Sequence, residues 1–91
     1  MRFSKGRAEK LAKELKYKGD MKEFYAGLQV ELEHGTVSPA TNITNDDPIL
    51  TAKIALAHLA ELPMYYTLLK EMEEKGEAML KAKNIRYGRI N

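Results

Sequence analysis

Residues 45–69 read NDDPILTAKIALAHLAELPMYYTLL. Asp47 before Pro48 has the form of a helix N-cap followed by a first-turn proline, whose missing N–H is needed by no intrahelical bond there. Ile49, Leu50, Ala52, Ile54, Ala55, Leu56, Ala57, Leu59 and Ala60 are apolar nearly all round the helix that follows. Such a helix, over about 48–61, belongs in the middle of a bundle. Its few polar residues include Thr51, His58 and Glu61, which share one sector at helical spacing. Pro63 bars an unkinked continuation, so a further helix over about 63–82 is expected to start there. Its apolar seam is Tyr65, Leu68, Leu69, Met72, Gly76, Met79 and Leu80. Gly76 in mid-helix costs about 1 kcal/mol relative to alanine and points to a close neighbour.

Upstream lie two more helical patterns. Ser4 can cap a helix over about 4–16, where Ala8, Leu11, Ala12 and Leu15 make one narrow stripe and Gly19 closes the segment. Asp20 and Glu23 form a capping-box pair for a helix over about 21–34. There Met21, Phe24, Tyr25, Leu28 and Leu32 share a face, while Val30 points to a second surface. Gly35 stands where a left-handed C′ residue is wanted. Between these helices and the first segment quoted lies GTVSPATNITNDD, residues 35–47, a long loop rich in turn residues. A loop of that length in a small domain packs or functions. The pattern is all-α: a four-helix bundle or orthogonal helical array occupying residues 1–82, with a basic, aperiodic tail at 83–91.

The chain of 91 residues supports one domain. At this size it buries only about 60–65% of its unfolded surface, so self-association would add stability. No cysteine is present, which favours a reducing, cytoplasmic setting and excludes thiolate metal ligands and a thiol nucleophile. No apolar run approaches the roughly 20 residues of a membrane span, and the N-terminus has no apolar stretch of a secretory signal. The net charge of +2 is unevenly placed. Residues 1–19 hold seven Lys/Arg against Glu9 and Glu14, whereas residues 20–62 hold seven acids against Lys22 and Lys53. A basic first helix lying over an acidic middle accounts for this pattern. No recognition-helix motif or aromatic-rich basic strand argues for nucleic acid.

The runs ELEHG (31–35), TNITNDDPILTAKIALAHL (41–59) and ELPMYYTLL (61–69) together resemble a small helical family of prokaryotic and phage genomes known as a domain of unknown function. The resemblance spans about residues 20–72 and leaves the first helix and the tail outside. It implies the helix–loop–helix–helix arrangement and brings no activity, substrate or cofactor.

The one chemically suggestive constellation is Glu31 with His34 and His58 with Glu61, each pair three apart. Residues i and i+3 are neighbours on a helix, so each pair could chelate. Carboxylate-bridged dimetal bundles use Glu-x-x-His from two helices, which would make iron, manganese or zinc the candidate metal. Against this, the second pair runs in reverse order and two further inward glutamates are not evident in one chain, although a symmetric dimer could supply them. His34 beside Gly35 also suits the helix dipole, and hydrogen bonds and caps are the competing account. Asn45, Asp46 and Asp47 could hold calcium, yet competition to cap the next helix explains them. Of Tyr65 and Tyr66, one is expected in the core with its hydroxyl met by His58 or Glu61. No nucleophile–base pair is evident, so an enzyme has least support. Three roles stand at the sequence level: a self-associating interaction module, a carboxylate–histidine metal protein, and a nucleic-acid accessory protein using the first helix with Lys81, Lys83, Arg86 and Arg89.

Overall fold

The computed structural model describes residues 2–82, and the basic tail lies outside the described residues. Four α-helices appear in order: α1 (Lys5–Glu14), α2 (Met21–Glu31), α3 (Pro48–Glu61) and α4 (Tyr65–Ala82). Short 3-10 turns occupy Leu32–His34 and Pro39–Thr41, and no strand occurs among the described residues. The all-α expectation holds.

α1 begins as its sequence dictates, with the Ser4 hydroxyl accepting the Arg7 N–H at 3.1 Å. Phe3 just before the cap and Ala8 at the fourth helical position are both buried, the positions of a hydrophobic staple. Gln29 of α2 grips Phe3 from both sides: it accepts the Phe3 N–H at 3.2 Å and donates to the Phe3 carbonyl at 2.6 Å. α1 ends before Gly19. Lys16 takes a left-handed conformation (φ 60°), and the Tyr17 N–H returns to the Ala12 carbonyl at 2.8 Å. This is a Schellman closure with lysine where glycine is preferred.

The centre of the fold is α2, which packs against α1, α3 and α4. Phe24 and Leu28 are fully enclosed. The expectation that α3 would be the middle helix is corrected. It buries Thr51, Ala52, Ala55 and Leu59, while Leu50, Ala57 and Ala60 face solvent. Four of the nine residues in its apolar pattern are alanine, a residue that favours helix whether buried or exposed and so signals little about burial. Val30 is half-buried and packs against the same core as the main stripe.

Two glycine expectations also change. Gly35 is not left-handed (φ −106°); a side chain there would run into the Asp46 carboxylate. Gly76 has no neighbour within 4 Å of a modest side chain's first atom. Close approach occurs instead at Gly27, where a Cβ would stand 2.5 Å from the Tyr66 ring.

The loop at 35–47 is pinned rather than loose. Asp46 accepts the Thr36 N–H at 2.9 Å and its hydroxyl at 2.5 Å, and these bonds hold its carboxyl below the usual range. Asn45 and Asp46 are both left-handed, a conformation their short polar side chains tolerate. Asp47 alone caps α3, accepting the Leu50 N–H at 3.0 Å. The three residues therefore divide the work instead of competing for one cap.

Candidate functional site

Glu23, Gly27 and Glu31 recur every four residues, so they form one stripe along α2. α4 lays Tyr66 across this stripe. The Tyr66 N–H donates to Glu23 Oε1 at 2.9 Å, the Thr67 N–H reaches the same oxygen at 3.3 Å, and the Thr67 hydroxyl donates to Glu23 Oε2. Glu23 thus caps the N-terminus of α4, 43 positions away, instead of folding back on its own helix as a capping box would. This also explains why α4 starts at Tyr65 rather than Pro63: the capped amides are those of residues 66 and 67. At the other end of the stripe the Tyr66 hydroxyl donates to Glu31 Oε2 at 2.6 Å. The expected partners of a buried tyrosine hydroxyl, His58 and Glu61, are therefore replaced by Glu31. Burial above all, then this bond and the Glu31 charge, push the phenol far above its ordinary pKa, so it stays protonated.

Around Glu31 the two histidines gather. His34 Nε2 lies 3.3 Å from Glu31 Oε1 and 3.7 Å from Glu33 Oε1. His58 Nε2 lies 3.7 Å from Glu31 Oε2. Glu31 is 3% exposed, whereas the His34 and His58 side chains are 36% and 33% exposed. The buried carboxylate is the floor and the imidazoles are the rim.

Each part is held. The 3-10 turn after α2 carries Glu33 and His34. The His34 carbonyl accepts the N–H groups of Ile43 and Thr44 at 2.6 and 3.0 Å, so the long loop fastens the histidine's backbone. The His58 ring stacks on Tyr65 at 4.3 Å with planes 9° apart, and meets Tyr66 edge-on at 6.2 Å.

Of the four residues expected to chelate, Glu31, His34 and His58 meet, and Glu61 does not. Glu61 is exposed at the end of α3, and neither histidine pairs with it among the described residues. His58 instead reaches across to α2. Glu33 has no place in the sequence reading of the site, Glu23 is read there only as a local cap, and Tyr66 only as one of two candidate core tyrosines. Glu33 carried a signal in its adjacency to His34, hidden because an α-helical reading places successive residues about 100° apart.

A second feature lies on α4. Leu68, Met72 and Met79 are 49%, 61% and 57% exposed. With Gly76, Glu71 and Lys75 they line a shallow groove. Of the seam expected to face the core, Leu68, Met72 and Met79 therefore face solvent, while Leu80 is half-buried.

Fold and site define a small all-α domain in which a buried glutamate stripe ties three helices together. The family model described as Protein of unknown function (DUF5661) matches residues 4–75, and the chain belongs to that family. The match takes in α1, which the resemblance read from the sequence had left outside. No curated protein and no solved structure matches the chain.

Proposed function

We propose that this protein is a small helical interaction module that pairs with a second copy of itself through the outer face of α4. The exposed row Leu68, Met72 and Met79, broken by the bare Gly76, carries this reading. Only Tyr66 of α4 is buried, with Tyr65 and Leu69 packed at the core's edge. The remaining turns are an amphipathic helix of marginal stability by itself. A second α4 would cover that face. Gly76 leaves a notch for close approach, and an antiparallel, two-fold crossing there sets Glu71 of one copy level with Lys81 of the other.

An 18-residue helix offers a contact only about 27 Å long, well short of a standard interface, so the pairing is weak. Sedimentation equilibrium from micromolar to submillimolar concentrations tests it. The wild type should shift from monomer to dimer, and Met72→Glu should stay monomeric with an unchanged thermal midpoint at low concentration. A wild type monomeric throughout, or a dimer untouched by Met72→Glu, would overturn the reading.

A further inference from the structure

We infer that Glu31, Glu33, His34 and His58 form a binding site for one divalent first-row transition-metal ion. This site is independent of the pairing through α4.

The donor spacing supports it. Neighbouring ligands of a tetrahedral ion bound at about 2.1 Å stand about 3.4 Å apart. Two contacts fit this spacing, His34 Nε2 standing 3.3 Å from Glu31 Oε1 and 3.7 Å from Glu33 Oε1. The third, 3.7 Å, joins His58 Nε2 to the other Glu31 oxygen, so His58 completes the set only around an ion that Glu31 holds through both oxygens. One ligand atom each from Glu31, Glu33 and His34 fits within 4.8 Å, and His58 approaches the second Glu31 oxygen.

The electrostatics support it independently. Burying a carboxylate as deeply as Glu31 is costly unless positive charge compensates. Among the described residues no lysine or arginine pairs with Glu31; its charged-group neighbours are two imidazoles. A dication would balance the two carboxylates, with the imidazole nitrogens as its remaining ligands.

The supporting contacts are those a metal site needs. The Tyr66 hydroxyl orients Glu31 through Oε2. The loop fastens the His34 backbone, and the Tyr65 ring fixes the plane of His58. Glu33 and both histidines are open enough to solvent to admit an ion. Two imidazole nitrogens with carboxylate oxygens suit zinc, iron, manganese or cobalt, and the cysteine-free sequence offers nothing to softer ions beyond methionine.

The test is titration of the full, chelator-stripped chain with Co²⁺, followed by visible absorption, and with Zn²⁺, followed by calorimetry. One ion per chain is expected. His34→Gln and His58→Gln should each weaken Zn²⁺ binding by more than about a hundredfold, beyond the usual loss for an outer-shell residue. Should either variant fold poorly by circular dichroism, Glu33→Gln, altered at an exposed side chain, should still weaken binding by at least about tenfold. Glu61→Gln should bind as the wild type does. Absence of saturable Co²⁺ and Zn²⁺ binding, binding indifferent to the histidine and Glu33 changes, or equal loss in Glu61→Gln would overturn the site.

Discussion

α1 and α4 carry equally clear amphipathic patterns, yet the protein treats them oppositely. α1 turns its stripe of Ala8, Leu11 and Ala12 into the core and is closed at both ends by its own neighbours, Ser4 and Lys16. α4 leaves Leu68, Met72 and Met79 in solvent and is started by a carboxylate from α2. Periodicity shows that a helix has an apolar side; it does not show what covers that side. In α4 the hold is concentrated at one residue, Tyr66, and the rest of the helix projects.

The sharpest way to break this contrast is Tyr66→Ala. Removing a 4%-exposed aromatic ring should cost about 3–5 kcal/mol in urea unfolding. Met72→Ala on the same helix should cost under about 0.5 kcal/mol at concentrations where the chain is monomeric. Similar losses for both would mean that the outer turns are covered within the chain.

Glu23→Gln addresses the distant cap. The amide can still accept the Tyr66 N–H but loses the charge at the helix N-terminus and one acceptor for the Thr67 hydroxyl. A loss of about 1–2 kcal/mol is expected, with faster hydrogen exchange at residues 66 and 67. If α4 were capped locally, exchange there would not change.

The Tyr66–Glu31 bond adds a pH signature. Folding raises the phenol's pKa, so the native state holds its proton where the unfolded chain releases it. That contribution is complete below about pH 10, the ordinary tyrosine value, and is lost as pH climbs beyond it. Stability should fall through this alkaline range, and Tyr66→Phe should flatten the fall measurably in urea midpoints taken between about pH 8 and 11. An equally steep decline in the variant would assign the effect to other groups. Asp46 acts in the opposite direction: its lowered pKa contributes above the ordinary aspartate range and is lost as pH falls through the folded value.

What could be read from the sequence divides along the same line. Ser4, Asp20 and Asp47 cap as expected because a cap and the N–H groups it serves lie two or three residues apart. Glu31 and His34 meet because three residues on a helical path bring side chains together. His58 and Glu61 share the same spacing, yet His58 turns toward α2; spacing permits a contact and packing decides it. Glu23 capping α4, Gly27 receiving the Tyr66 ring and Glu33 joining the histidine all depend on how α2 meets α4 or on one turn tightening to 3-10. The four-residue spacing of Glu23, Gly27 and Glu31 places them on one stripe of α2, but nothing in that spacing names α4 as what packs on it. Gly27 and Gly76 make the point most directly: the glycine that permits close packing within the chain carried no distinguishing mark, and the conspicuous one faces solvent.

A smaller effect is expected in α1, and it has the opposite sign. Lys16 holds φ near 60°, a conformation that costs a residue with a Cβ roughly 1–2 kcal/mol and costs glycine almost nothing. Its main-chain bond to Lys13 and the neighbouring bond from Tyr17 to Ala12 need only backbone atoms, so Lys16→Gly keeps the closure intact. Glycine also loosens the unfolded chain, which offsets part of the gain. The net expectation is a stabilisation of about 0.5–1 kcal/mol, seen as a Tm increase of about 2–6 °C. The same exchange at Ala78, within the projecting part of α4, should destabilise by about 1 kcal/mol, because there glycine relieves no strain and only weakens the helix. Opposite signs for these two substitutions would show that α1 is limited by its termination and α4 by the stability of its uncovered turns; destabilisation at both sites would mean that Lys16 is not held in the left-handed conformation.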